Sequence, residues 1–326
     1  MIIRPELAAL RADDRPQRCA QDALGAALAA WRILPQVQCV AADLVRWSAG
    51  AEIDDLPALA ALVTAHDRCA TQFAATIVDA IAGVLAREPL GQSPLRHYCD
   101  DISASVTLLR QGTTVLSLLT IDGHRLSQCP AATSARFAPT ETFDAVLAGR
   151  AVADRYTLTS QNPERGVIDG QAVSVEPGEV SHRLGSREVL HWRQVPSGLT
   201  LLRLQRRTDP CGIAREYALE DGSLLHQAAG SPRDSRLELT AALLGRMGRR
   251  DAAPLLAAIA EEGGSEALRW QMLRECLALD TAEGFTALCR LAADPADPLA
   301  SHAGALRAQL LESFPQLSGL IPCPAT

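Results

Sequence analysis

Apolar residues in the first part of the chain recur with the spacing of amphipathic helices. Within 16–34 the apolar positions follow the series i, i+4, i+7, i+8 and i+11, at Ala20, Leu24, Ala27, Leu28 and Trp31. A stripe with this period is typical of a helix that buries one face. The same reasoning predicts helices at about 39–48, 56–68 and 71–87, and Pro89 and Gly91 end the last of them.

The pattern changes between about residues 102 and 229. Short runs rich in valine, leucine and threonine alternate there with turn residues. These runs lie at 102–109, 114–121, 155–159, 172–175, 188–195 and 199–206, and a hairpin turning at 220–222 follows. Many short strands at this spacing predict an antiparallel β-barrel or sandwich. One interruption, Thr140–Ala148, is predicted to be a helix with Thr140 as its N-cap.

The chain from residue 235 has the pattern of helix pairs. Asp251 and Asp280, each suited to cap a helix, lie 29 residues apart. The same offset aligns apolar residues: Leu244 with Leu273, Leu256 with Phe285, and Ile259 with Leu288. In this period the segment resembles HEAT-like repeats, whose stacked helix pairs share a continuous core. A helical bundle that caps the β region is the alternative.

These patterns together predict an α+β chain in three parts. Residues 1–96 form a helical N-terminal segment, 97–234 an antiparallel β domain, and 235–326 a helical tail. Alanine follows the same division, because 23 of the 56 alanines stand in the first part, 14 in 97–236 and 19 in the rest.

The charged residues exclude several classes of enzyme. All 31 basic residues are arginine, so the chain has no lysine for a P-loop, for the strand of a kinase or for a pyridoxal Schiff base. Arginine still provides a fixed charge and a planar fork of donors for anions. The net charge of −7 argues against a nucleic-acid partner, which requires a basic surface.

The nine cysteines include no CxxC pair, which argues against zinc ribbons and disulfide scaffolds. Their odd number, and the start at Met1 without an apolar leader, favour a reducing compartment. The most apolar run, 73–86, contains Asp79 and is too short to cross a bilayer. We therefore expect a cytoplasmic protein with no membrane partner.

A motif in the middle segment resembles a known family. Gly170, Pro177, Gly178 and His182, followed by a strand, a turn and another strand, are similar to the second motif of the cupins. The resemblance implies a β-barrel, pairing of chains into a homodimer, and His182 as a metal ligand. The first cupin motif has no counterpart, since 155–166 contains no histidine. No metal is therefore favoured; the alternative is iron or another divalent transition metal on His182, His124 and His226.

The segment 188–206 is predicted to be a hairpin with a loop at 196–198. Its apolar face would carry Leu190, Trp192, Leu202 and Leu204. Its polar face would carry four candidate ligand-binding residues, namely His191, Arg193, Arg203 and Gln205. Facing inward, they would form a pocket for a small anion; facing outward, the default for antiparallel sheets, they would be ordinary surface.

Two functions follow from these observations. The first is a non-catalytic binding or scaffold protein, which engages a protein or peptide partner through its helical surfaces and takes a small anion in the β domain. The second is a cupin-type metal-dependent enzyme, an oxygenase or isomerase acting on a small or peptide substrate.

Overall fold

The computed structural model describes residues 13–66, 68–159, 164–209, 212–229, 231–262 and 264–320. The described residues form two compact units. Unit I consists of the chain up to Thr208 with Glu216–Leu225, and unit II of Asp209–Arg215 with the chain from His226. Helices come first along the chain, then antiparallel strands, then helices again, which confirms the α+β class. The division at residues 96 and 234 stays a prediction.

The N-terminal helices follow the predicted apolar stripes. They are α1 (Arg15–Arg32), α2 (Pro35–Ser48), α3 (Pro57–Leu62) and α4 (Cys69–Leu85). Helix α1 buries Ala20, Leu24, Leu28 and Trp31, as its spacing predicts. Proline opens α2 and α3, where its missing N–H costs no hydrogen bond. The ring of Trp31 meets the ring of Phe73 on α4 edge to face, with centroids 5.8 Å apart.

The described residues of the middle segment form three antiparallel groupings of strands. The elements are β1 (His97–Cys99), β2 (Ser103–Gln111), β3 (Thr114–Asp122), the short helix α5 (Gly123–Leu126), β4 (Ser134–Phe137), β5 (Thr140–Ala148), β6 (Ala151–Leu158), β7 (Ile168–Val175), β8 (Val180–Leu184), β9 (Glu188–Gln194), β10 (Gly198–Arg207), β11 (Ile213–Ala218) and β12 (Leu224–Ala229). A six-stranded sheet has the order β1-β2-β3-β10-β5-β8. Two three-stranded sheets have the orders β7-β6-β9 and β12-β11-β4.

The central strands of the six-stranded sheet are covered on both faces. We call the side under the N-terminal helices its helix face; there Leu116, Phe143, Leu202 and Leu204 share one core with α1 to α4. We call the other side its cavity face; there Leu199 and Leu201 join a second core that β6, β7 and β9 help to form.

The chain passes from the six-stranded sheet to β6 through a tight turn at Gly149. This residue has φ of 84°, and a Cβ there would lie 2.0 Å from the carbonyl oxygen of Gly198. Only glycine fits so close an approach of two backbones. The turn thereby sets β5 and β6, which are adjacent in sequence, into different sheets.

The predicted helix at Thr140–Ala148 is wrong, because this segment is strand β5. It lies between β10 and β8 near one edge of the six-stranded sheet. Residues 141–146 are all buried, so the strand has no exposed face of the kind by which a half-exposed strand is recognised. Its threonines, phenylalanine and valine are nevertheless residues that favour strands.

The predicted hairpin of 188–206 is also wrong. Strand β9 pairs with β6, and β10 pairs with β3 and β5, so the link at 195–197 joins two sheets. A loop of three residues is equally compatible with a hairpin and with such a crossing. The predicted apolar face is therefore divided: Leu202 lies on the helix face, whereas Trp192 packs with the core of the cavity face.

Unit II is mainly helical. Its helices are α6 (Pro232–Arg246), α7 (Ala253–Glu261), α8 (Glu266–Leu279), α9 (Thr281–Ala293) and α10 (Ala300–Ser313). Asp280 caps α9 as predicted, because its carboxylate accepts the N–H groups of Ala282 and Glu283. Asp251 does not cap α7; it pairs with the adjacent Arg249 instead. Within the described ranges, no helix has the length and apolar character to span a bilayer.

Candidate functional site

A cavity of about 580 Å³ lies against the cavity face of the six-stranded sheet. Strands β3, β5, β8 and β10 provide its floor, and residues of β9, β4 and α5 enclose it. Because side chains alternate along a strand, only every second residue of β5 and β10 points toward it. The volume lies in the range of small-molecule sites.

A buried carboxylate with two guanidinium groups stands at this cavity. Nε of Arg203 donates to Oδ1 of Asp144 at 2.6 Å, and Nη2 donates to Oδ2 at 2.9 Å. Nη2 of Arg183 donates to the same Oδ2 at 2.6 Å. The Asp144 side chain is 1% exposed, whereas that of Arg203 is 27% exposed, so the arginine is the member of the cluster that a ligand reaches.

The charges of this cluster hold Asp144 ionised. Burial by itself would raise the pKa of Asp144, but the guanidinium groups of Arg203 and Arg183 outweigh it and keep that pKa below its usual value. For Arg203, burial acts to lower the pKa, and the Asp144 carboxylate outweighs it and raises the pKa. Asp144 and Arg203 are therefore both charged at neutral pH.

The cluster carries one uncompensated positive charge, because two guanidinium groups share one carboxylate. Nε and Nη2 of Arg203 are both engaged with Asp144, which leaves Nη1 available. The other charged residues lining the cavity are Arg136, Glu188 and Asp100. Arg136 and Glu188 carry opposite charges, and Asp100 lies at the other end of the cavity from Arg203, where its carboxylate accepts the N–H groups of Ile102 and Ser103.

Neutral and cationic groups extend the polar floor along β10. The side-chain amide of Gln205 donates to the hydroxyl of Thr142 at 3.0 Å, and both residues line the cavity. Arg207 follows on the same side of β10, and its Nε and Nη1 are buried without a hydrogen-bond partner among the described residues.

Three of the four predicted ligand-binding residues line this cavity, namely His191, Arg203 and Gln205. Burial lowers the pKa of His191, and the nearby Asp154 and Glu216 oppose this only in part. The imidazole is thus neutral at neutral pH. Arg193 lies elsewhere: it donates to Asp154 at 3.1 Å, its side chain is 51% exposed, and it does not line the cavity.

The histidines of the metal alternative are not brought together. His182 lies on the helix face, where Nε2 is 3.0 Å from Oε1 of Glu141 and the ring stacks on Phe143 at 4.1 Å. His124 is exposed on α5, and His226 belongs to unit II. Across the ranges that the structure describes, no three His, Cys, Asp or Glu residues are placed to hold a metal ion. The residues present therefore do not fit a cupin metal site.

Sequence reasoning missed Asp144, Thr142 and Arg183. The first two were hidden by the prediction of a helix at Thr140–Ala148. A period of two was present nevertheless, since Thr142 and Asp144 are polar while Phe143 and Ala145 are apolar. Arg183 is reached only through the pairing of β8 with β5, which places it opposite Thr142.

Comparison with known proteins gives only distant likenesses. No family model and no curated protein matches the chain. Among solved structures, the 7S globulin of Momordica charantia is 11% identical over 39% of this chain and 36% of its own, with a TM-score of 0.26. A cupin superfamily protein of Desulfitobacterium hafniense DCB-2 is 15% identical over 34% and 83%, with a TM-score of 0.22. Ectoine synthase from P. lautus is 11% identical over 34% and 67%, with a TM-score of 0.23.

The chain thus spans little more than a third of the length of the globulin it resembles. The likeness is one of fold, to cupin superfamily structures. At these identities and TM-scores, no argument about chemistry rests on it.

Proposed function

We propose that this chain is a non-catalytic binding protein whose unit I takes a small anion into the cavity beside β10. The observation that carries the proposal is the cluster of Arg183, Asp144 and Arg203, with its one uncompensated positive charge and one free guanidinium nitrogen. A partly buried cation without a counter-charge is costly, and a bound anion removes that cost.

The neighbouring groups support binding more than catalysis. The cavity is also lined by the amide of Gln205, the hydroxyl of Thr142 and the neutral ring of His191. These groups orient a bound ligand through hydrogen bonds. The alternative of a cupin-type metal-dependent enzyme lacks support in the side-chain geometry, because its first candidate ligand, His182, is paired with Glu141 on the opposite face of the sheet.

Thermal unfolding in a panel of anions tests the proposal. Acetate, phosphate, sulfate and chloride are compared at constant ionic strength. An anion that binds the folded state raises the melting temperature with its concentration. We expect at least one of them to do so, and Arg203→Gln to abolish the response.

The matched control is Arg193→Gln, which removes the same charge from β9 outside the cavity. We expect this variant to respond as the parent does. The same weak response to every anion in the parent and in both variants would overturn the proposal, since it would reflect general salt effects.

We further propose that unit II engages a peptide partner as a HEAT-like array of helix pairs. The supporting observation is a largely apolar groove of about 670 Å³ between α8, α10 and the chain after α10. Trp270, Leu310 and Phe314 line it, and Phe314 is 49% exposed. Arg274 is the one charged residue among the described lining residues, so the fitting partner is an amphipathic helix with an acidic side chain at the edge of its apolar stripe.

A synthetic helix with leucine at i, i+4 and i+7 and glutamate on its other faces is a suitable probe. Its binding is followed by fluorescence anisotropy of a dye on the peptide. Phe314→Ala is expected to weaken binding about tenfold, as truncation of a central apolar contact does. Arg274→Gln is expected to weaken it at low salt, whereas Arg249→Gln, outside the groove, leaves it unchanged. Equal affinity of all variants would contradict this part of the proposal.

A further inference from the structure

The cavity beside β10 changes character along its length. Arg203 lies opposite Asp144 and Gln205 lies opposite Thr142. Four residues before Arg203, Leu199 lies opposite Ile121, and Leu201 lies opposite Leu119. At about 3.3 Å per residue, Leu201 lies roughly 7 Å and Leu199 roughly 13 Å from Arg203 along the strand.

The apolar end of the cavity is a built surface. Leu119 and Ile121 of β3 form it together with Ile102, Leu126 and Trp192. All five belong to or pack against the core cluster of the cavity face, so their positions are fixed by neighbours. An alkyl or aromatic group in this part of the cavity would bury apolar surface on both sides.

The polar end has the capacity for one negative charge. Asp144 neutralises one of the two guanidinium groups, and the other charge remains. A carboxylate matches it. A phosphate dianion brings a second negative charge close to the ionised Asp144, where repulsion opposes binding.

We propose that the ligand is an amphipathic monocarboxylate, with its carboxylate on Arg203 and its alkyl or aromatic body against Leu119, Ile121 and Trp192. This inference rests on the proposed function of the cavity and specifies the class of anion. It gives the apolar end a role that a bare inorganic anion would not use.

Affinity across a series of straight-chain carboxylates tests the inference. Acetate, butanoate, hexanoate and octanoate are titrated into the full chain, with inorganic phosphate alongside, and dissociation constants are taken from calorimetry or from the shift in melting temperature. We expect the dissociation constant to fall roughly threefold to fourfold for each methylene that enters the cavity. Phosphate is expected to bind more weakly than hexanoate.

Two variants separate the ends of the site. Arg203→Gln is expected to weaken the whole series, because it removes the head-group contact. Leu126→Asn, at the apolar end on the short helix α5, is expected to reduce the gain in affinity for each added methylene. Leu184→Asn is its control, since this leucine is 43% exposed and does not line the cavity.

The outcomes distinguish this inference from the proposed anion site on which it rests. Binding that does not strengthen with chain length, or phosphate binding more tightly than hexanoate, overturns the amphipathic ligand and leaves the anion site standing. Failure of every anion to bind overturns both. If either variant does not fold, the chain-length series on the parent still decides the question.

Discussion

Each face of the six-stranded sheet carries an ion pair between an arginine of β10 and a carboxylate of β5. On the helix face the two charges balance, whereas on the cavity face a second arginine leaves one positive charge over. On the helix face, Nε of Arg206 donates to Glu141 at 2.7 Å. On the cavity face, Arg203 donates to Asp144 at 2.6 Å. Both pairs join β5 to β10, and both carboxylates are buried. The difference between them lies in what surrounds the arginine.

The pair on the helix face is closed by the protein itself. Nη1 of Arg206 donates to the carbonyl oxygens of Trp47 and Ala51, and its guanidinium lies 4.6 Å from the ring centroid of Trp47. One acid meets one arginine, and His182 contacts the same acid. Such a pair fixes the N-terminal helices on the sheet, and its positive and negative charges balance.

The cluster on the cavity face is left open. Asp144 receives two arginines, and no backbone carbonyl covers the remaining nitrogen of Arg203 among the described residues. An ion pair between these two strands is therefore a structural link where one arginine meets one carboxylate. It is a candidate binding site where a second arginine leaves one positive charge over.

Removing the carboxylate on the cavity face is expected to have the largest effect. Asp144→Ala leaves two buried guanidinium groups without a counter-charge, so we expect the free energy of unfolding to fall by about 3–5 kcal/mol. Chemical denaturation at neutral pH measures it. A loss below about 1 kcal/mol would show that Asp144 does not hold the two arginines.

Removing the carboxylate on the helix face is expected to cost less. In Glu141→Ala, Arg206 keeps its two carbonyl acceptors and its contact with Trp47. We expect a loss of about 2 kcal/mol in the same denaturation experiment. A decrease in the free energy of unfolding as large as that of Asp144→Ala would show that the two faces depend equally on their carboxylates.

Removing an arginine from the cavity face should lower the free energy of unfolding still less. In Arg203→Gln, Asp144 keeps its bond to Arg183, so we expect about 1 kcal/mol. Arg193→Gln, on the exposed pair with Asp154, is expected to change stability by no more than about 0.5 kcal/mol. Equal losses in the two variants would place Arg203 in an ordinary surface pair.

The smallest effect concerns pH. Burial lowers the pKa of His191 in the folded state, so the unfolded chain binds this proton more readily. His191 therefore contributes stability above its unfolded pKa of about 6.5, and that stability is lost as the pH falls through and below this value. His191→Gln should flatten this part of the stability profile. An unchanged slope between pH 7 and pH 5 would contradict the burial of the imidazole.

Local patterns predicted the N-terminal helices and three residues of the site, namely His191, Arg203 and Gln205. Leu24, Leu28 and Trp31 share a face because a helix turns every 3.6 residues, and Arg203 and Gln205 share a face because a strand alternates every two. Both rules need only neighbours in sequence. They apply regardless of how the rest of the chain folds.

Asp144 and Arg183 could not be found in this way. The alternation within 142–145 is consistent with a strand, but it does not show which strands lie beside β5. The pairing of β9 with β6, and of β8 with β5, joins segments far apart in the chain. This pairing depends on packing between sheets, and the spacing of residues within one segment contains no information about it.

Formate added to the two alanine variants tests the contrast between the faces most directly. At constant ionic strength, formate can take the place of the missing carboxylate only where it can enter. We predict that formate raises the free energy of unfolding of Asp144→Ala with concentration, as mass action requires, and leaves that of Glu141→Ala unchanged. No response in Asp144→Ala, or the same response in both variants, would contradict an open anion site on the cavity face.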